Sequence, residues 1–342
     1  MEFHRQRQVG NLNRVKIGIV GVGGQGKKHL LNCLRLRNTE VVAIADSSKS
    51  ALSKISKLRA RTYLDYHEMI RKEKLDAVII ALPNYLHKDA SILAAEAGCN
   101  ILLEKPVARS FEEGKDISDC ISKSGVKLMM GMCHRFLTDC QNLKKTVDMR
   151  TLGRIEFASA LFFAGPFSGK KVPKWMFDPF KIGGGALLDN GFHIIDLLVW
   201  LFGDVRSVRG HTESMLNLDY EDYAEVFLRF KNGVNGLAIA SWRSRIPYYR
   251  VEVVGEWGRR IASNPANVID RGILRTALSF SKESLLQRIK GRRFLPLGDE
   301  IYYRELEYFV RCVLNDKEPK PDINDGLKVH KIIDSVQKLR RT

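Results

Sequence analysis

From Val15 onward the chain alternates short apolar runs with amphipathic stretches. VKIGIVG reads as a strand and QGKKHLLNCLRLR as a helix; VVAIAD is a second strand and SKSALSKISKLRA a second helix. DAVIIALP, NILLEKP and KLMMGMCHRF predict further strands. Between them HKDASILAAEAG and SFEEGKDISDCISKSG predict helices closed by Gly98 and Gly125. Strands apolar on both faces, spaced by helices of this length, predict a parallel, doubly wound sheet over residues 14–137. After about residue 137 the pattern changes. GRIEFASALFF, DYAEVFLRF, VNGLAIASWRS and YYRVEVVGEWGRR alternate over longer spans, with turn signals such as KNG between them. These predict a large open, mostly antiparallel sheet in an α+β domain over residues 138–342, closed by helices in YYRELEYFVRCVLN and GLKVHKIIDSVQKLRR.

The first strand runs straight into Gly21-Val22-Gly23-Gly24-Gln25-Gly26, which opens the first helix. Asp46 ends the second strand 20 residues after Gly26, the interval a ribose-binding acid needs. In such a loop the first glycine makes the tight turn and the second lets the backbone approach a pyrophosphate. The third permits close packing of helix on strand, and the helix N-terminus receives the phosphates. The first domain is therefore expected to be a Rossmann domain that binds a dinucleotide. A carboxylate at Asp46 accepts ribose hydroxyls and repels a 2′-phosphate, so NAD is expected rather than NADP, with Ser47, Ser48 and Lys49 softening the preference.

At 342 residues the chain is too long for one ordinary core and suits two domains. The fractions of 44% hydrophobic and 28% charged residues match a soluble globular protein. The apolar runs are strand-length and shorter than a membrane span, and the polar, basic N-terminus has no secretory h-region. The six cysteines lack any zinc-like spacing and fall in apolar runs, so reduced thiols and a cytoplasmic location are expected. A net charge of +17 favours anionic partners. Part of the excess lies between Arg259 and Arg293, a basic segment without a nucleic-acid-binding signature, read as a solvated loop. The expected partner is a sugar-like small molecule, with anionic forms favoured, and neither specific nucleic acid nor a membrane span is expected. Arg135, Lys174, Arg243 and Arg245 are candidate anion contacts.

In GGGALLDNGFHIID three glycines, Gly183 to Gly185, precede a helical run that carries Asp189, His193 and Asp196. The glycines suggest a backbone that passes close to cofactor and substrate. Asp189 and His193, four apart, share a helix face, which suits an acid–base pair, a metal pair or a buried histidine at a helix start. A zinc site needs a third protein ligand, and no HExxH or thiolate partner is in view, so no metal is expected. Asp196 reads as structural. Lys105, at the carboxyl end of a buried strand, stands where open α/β sheets bind ligands.

Together GVGGQGKKH, LPNYLH, LLEKP, GMCHRF and GGGALLDNGFHIID resemble the Gfo/Idh/MocA oxidoreductases, the glucose–fructose oxidoreductase and inositol dehydrogenase family. The resemblance spans nearly the whole chain. It implies a Rossmann domain followed by a domain whose open sheet mediates homodimers or homotetramers. It makes Lys105 the catalytic lysine with Asp189 and His193 as its partners. It also places Pro83, Asn84, His87, Glu104 and Lys105 beside the cofactor, and Arg135 and Trp175 near cofactor or substrate.

Oxidising a secondary alcohol requires a proton to leave oxygen as hydride leaves carbon, which a histidine near neutrality suits. His193 is assigned as the base, Asp189 as its orienter or a sugar ligand, and Lys105 as the group that steadies the alkoxide. Lys105 as base with His193 as relay is the alternative. The expected function is an NAD-dependent dehydrogenase acting on a sugar, polyol or nucleotide-sugar. An NAD-assisted sugar lyase or glycosidase, and a non-catalytic cofactor-sensing regulator, are the competing functions.

Overall fold

A computed structural model describes residues 14–166, 172–245, 247–263 and 297–339. Two six-stranded sheets organise it. The first contains β1 (Val15–Val20), β2 (Thr39–Ala45), β3 (Arg61–Tyr63), β4 (Ala77–Ile80), β5 (Asn100–Glu104) and β6 (Leu128–Gly131). Their spatial order is β3-β2-β1-β4-β5-β6 and every pairing is parallel. Helices α1 (Gly24–Cys33), α2 (Lys49–Ser53), α3 (Tyr66–Lys72), α4 (His87–Glu96) and α5 (Phe111–Ser124) connect the strands. β4 is buried at every position and β5 at all but its first, as strands covered on both faces must be.

Three local differences from the sequence reading have physical causes. The second helix is five residues long, because the Ser53 and Ser56 hydroxyls bond back to carbonyls three residues earlier and the chain continues in turns. β3, too short and too exposed to show alternation, went unpredicted. β6 stops at Gly131, and Cys133–Phe136 forms a 3-10 turn.

The second sheet follows helix α6 (Thr138–Asp148) and comprises β7 (Ile155–Phe163), then, after helices α7 (Pro179–Ile182) and α8 (Phe192–Phe202), β8 (Val205–Glu213), β9 (Tyr223–Phe230), β10 (Asn235–Ser241), β11 (Tyr248–Gly255) and β12 (Gly258–Ser263). Its order is β12-β11-β7-β10-β9-β8. The pairings are antiparallel except β7 with β10, which makes the sheet mixed. α8 packs against β7 and β10, with Ile194, Ile195 and Leu198 in the core they share. The helical stretch Pro179–Phe202 is long and apolar enough by composition to cross a membrane, but 89% of its apolar window is buried in the protein, as in a core helix.

The chain then returns to the first sheet. Helix α9 (Leu297–Leu314) places Leu306, Phe309 and Val310 in one cluster with Val15, Ile17 and Ile19 of β1. Helix α10 (Ile323–Leu339) is preceded by a segment that bonds to the free edge of β6, the Met130 N–H donating to the Pro321 carbonyl at 2.9 Å. All six cysteines are free thiols. Of the basic run between Arg259 and Arg293, residues 264–293 lie outside the described residues.

Candidate active site

The glycine loop is built by two close contacts and one open side. Gly21 has φ of +84°, and a Cβ on Gly26 would stand 1.9 Å from the Gly21 carbonyl oxygen, so the helix seats on the strand only without that atom. A Cβ on Gly23 or Gly24 would meet nothing within 4 Å, which leaves this side open to a ligand. α1 starts at Gly24 with no side chain capping its first N–H groups, the arrangement that receives an anion. Asp46 follows β2, its Oδ2 accepting the Val22 N–H at 2.9 Å and its Oδ1 the Ser48 N–H at 2.8 Å. These residues open a cleft of about 500 Å³ that passes Pro83 and Asn84 and reaches Glu104, Lys105 and Asp189. Gln25 and Trp175 also line it, and Trp175 comes from the second domain on a 3-10 turn. The glycine cradle, the ordered carboxylate and the cleft volume fit a dinucleotide.

At the inner end Lys105 and Asp189 form an ion pair across the domain boundary. The Lys105 Nζ also donates to the Asp189 carbonyl at 3.3 Å, and the second carboxylate oxygen accepts the Trp242 indole N–H at 3.0 Å. Asp189 is thus held from both sides, by β5 through Lys105 and by the end of β10 through Trp242. Local backbone contributes as well. Residues Leu187–Gly191 form a π-helical turn ahead of α8, so Asp189 and His193 do not stack as on a regular helix. Asp189 faces Lys105, whereas His193 turns toward His134.

His193 is buried, with Nδ1 3.1 Å from His134 Nδ1 and ring centroids 4.2 Å apart. Phe162 and Tyr249 pack around the His134 ring. Burial, then His134 and the Lys105 charge, push the His193 pKa well below its usual value. Burial and Lys105 push that of His134 down to about 3. Both shifts favour the neutral imidazoles, a pair in which one Nδ1 donates to the other. The metal pairing considered for Asp189 and His193 is absent because the two groups diverge. A different trio converges instead: Cys133 Sγ lies 3.7 Å from His134 Nδ1, and donor atoms of Cys133, His134 and His193 all lie within 4.8 Å of one another.

Several expectations need correction. Arg135 is not a cleft residue; its Nε and Nη2 donate to Asp196 at 2.9 and 2.6 Å in a buried pair, which also gives Asp196 its structural role. His87 does not face the cofactor cleft. It is buried between the Leu82 and Pro106 carbonyls, at 2.9 and 2.8 Å, and fixes the turn beneath the cleft. Asn84 reaches across the domain boundary, its amide donating to the Ile182 carbonyl at 2.8 Å while it lines the cleft. Glu104 is hydrogen-bonded to His29 at 2.7 Å. Of the three glycines, Gly184 lines the pocket at Lys105 and Asp189, whereas Gly183 and Gly185 pack on protein backbone, a Cβ on Gly185 standing 1.8 Å from the Glu221 carbonyl oxygen. Arg243 is paired with Asp222 and Glu213 at 2.6 and 2.9 Å, and Lys174 is exposed outside the cleft. Arg245 lines a neighbouring pocket of about 430 Å³ that shares Trp242 with the site.

Residues 15–132 match the family model described as "Oxidoreductase family, NAD-binding Rossmann fold", and residues 140–260 match the GFO/IDH/MocA C-terminal domain. The chain belongs to the Gfo/Idh/MocA oxidoreductases. It is 28% identical over 325 residues to the scyllo-inositol 2-dehydrogenase (NAD(+)) of Bacillus subtilis, spanning 90% of this chain and 88% of that protein. It is 26% identical to D-xylose 1-dehydrogenase (NADP(+)) 2 of Haloferax volcanii, spanning 95% and 97%. The fold of the WlbA dehydrogenase from Bordetella pertussis, solved with NADH and UDP-GlcNAcA, superposes with a TM-score of 0.82 at 23% identity, covering 96% of each chain. The Gfo/Idh/MocA relatives are thus NAD(P)-dependent sugar and inositol dehydrogenases acting on CH–OH groups. Trp242 and His134 were missed in the sequence as site residues. Neither stands in a motif with Asp189 or His193, and only the fold joins positions 53 and 59 residues apart.

Proposed function

We propose that this protein is an NAD-dependent dehydrogenase that oxidises a secondary hydroxyl of a sugar, polyol or nucleotide-sugar. The observation that carries this reading is the Lys105–Asp189 ion pair at the inner end of a cleft that begins at the glycine loop and Asp46. The glycine loop would hold the pyrophosphate, Asp46 the adenosine ribose, and Pro83, Asn84 and Glu104 the nicotinamide half. When bound, the cofactor supplies the hydride acceptor. Lys105 donates to the reacting oxygen and steadies the charge it develops. Asp189, fixed by Trp242, holds the Lys105 ammonium in place. His193, kept neutral by burial, has a ring nitrogen to accept the hydroxyl proton. Asp46 disfavours a 2′-phosphate, which supports NAD over NADP.

The outer face of the second sheet exposes Phe157, Phe227 and Ile261, which supports pairing with another copy as a homodimer or homotetramer. Incubation with a panel of inositols, aldoses, sugar acids and UDP-sugars is expected to yield NADH with at least one of them. The enzyme is expected to favour NAD over NADP by about tenfold or more in kcat/KM. Failure with every substrate, or a preference for NADP, overturns the corresponding part of the proposal.

A further inference from the structure

The proposed dehydrogenase chemistry uses His193 and leaves unexplained why Cys133 and His134 converge on it. We propose that these three side chains form a binding site for a borderline-soft divalent cation, with Zn²⁺ the best fit. The distances carry the proposal. Tetrahedral zinc with Zn–N near 2.05 Å and Zn–S near 2.3 Å sets its ligand atoms about 3.3 Å apart for two nitrogens and about 3.6 Å for nitrogen and sulfur. Here the two imidazole nitrogens are 3.1 Å apart and the sulfur is 3.7 Å from His134 Nδ1, with the third separation inside 4.8 Å. One cation fits where these three donor atoms converge.

The donor set selects the ion. A thiol and two imidazoles suit Zn²⁺ or Co²⁺, whereas Mg²⁺ and Ca²⁺ require oxygen ligands. The surroundings favour a closed, water-poor site, since Cys133 is buried and Phe162 and Tyr249 wall the His134 ring. The buried Glu104 places negative potential at the sulfur, which offsets the opposing charge of Lys105. Binding would release the Cys133 thiol proton to solvent and move the proton of the donating ring from Nδ1 to Nε2, forming one metal–thiolate and two metal–nitrogen bonds with no redox change. A metal there would occupy His193 and so exclude it from proton transfer. The site itself does not depend on the dehydrogenase reading.

Cobalt makes the test direct. The purified full-length protein, stripped with a chelator and kept reduced, is titrated with Co²⁺ in the absence of substrate and cofactor. The expected result is a thiolate-to-cobalt charge-transfer band in the near ultraviolet, together with tetrahedral visible bands. Both should saturate at one equivalent and be displaced by Zn²⁺. Cys133→Ser should abolish the charge-transfer band. His134→Gln, which keeps the sulfur, should weaken Co²⁺ binding by about tenfold or more. Absence of a band, or an unchanged band in Cys133→Ser, overturns the proposal. Because the readout is spectroscopic, its failure leaves the dehydrogenase assay untouched, and failure of that assay leaves this site untouched.

Discussion

Lys105 makes three connections in this molecule: to Asp189 Oδ1, to the Asp189 carbonyl and to the cleft. Replacing it with methionine preserves side-chain length while removing the donor aimed at the reacting oxygen. Loss of one such preorganised donor lowers kcat by about 10²- to 10³-fold. Lys105→Met is therefore expected to show that loss with whichever substrate the panel identifies, while NADH affinity measured by fluorescence changes only a few-fold. A kcat within about fivefold of the natural enzyme would remove Lys105 from the chemistry. Lys105 and Asp189 were readable in the sequence because each stands in a short run with its own backbone logic, a strand end and a glycine-led helix start. Trp242 was not readable. Its role depends on the end of β10 meeting a π-helical turn, a juxtaposition that neither local pattern encodes. Arg135 was misread for a related reason: an arginine after a strand looks the same in sequence whether it faces a cleft or a buried aspartate.

At the scale of elements, α9 illustrates how a periodic pattern conceals a polar core. Its spacing predicts a helix correctly, but Glu305 lies on the buried face, and neither carboxyl oxygen has a hydrogen-bond partner among the described residues. Burial, reinforced by the Glu104 charge, raises the Glu305 pKa well above 4.5, so the folded protein keeps a proton that the unfolded chain has released. Linkage then fixes the sign. The folded state binds more protons, so this residue's contribution to stability declines as pH rises from about 4.5 toward its raised value. Glu305→Gln removes that decline. Its melting temperature relative to the natural protein is expected to rise between pH 5 and pH 8, as measured by differential scanning calorimetry. A difference that stays flat or falls over that range would show Glu305 to be ionised in the fold. Elsewhere at this scale, strand alternation and the glycine turn carried the reading. It weakened where serines bonded to their own backbone, as after α2, and where a strand was too short to display a period, as at β3.

Over the whole molecule, the two sheets are joined by contacts that converge on the cleft: Asn84 on Ile182, Lys105 on Asp189, and Arg109 on the Phe180 carbonyl at 2.9 Å. The sequence reading divides the chain at residue 137. It gave no sign that α9 and the segment before α10 would return to the first sheet, because helix amphipathicity states that a face is buried and not against what. Leu306, Phe309 and Val310 are buried against β1 and α1, so the first domain lacks a wall without them. A chain ended at residue 296 is expected to lose cooperative thermal unfolding and to bind a hydrophobic dye, whereas the full chain does neither. A truncated protein that melts cooperatively and binds NADH would refute this.

That returning helix has a consequence for biosynthesis. Domains made first on the ribosome ordinarily fold first, as soon as their own residues emerge. Here the glycine loop and its sheet emerge early, yet the apolar surface of β1 and α1 awaits Leu306, Phe309 and Val310, which are made long after it. The nascent nucleotide domain therefore waits with one face uncovered until that helix is made, and that interval is when a chaperone would find it.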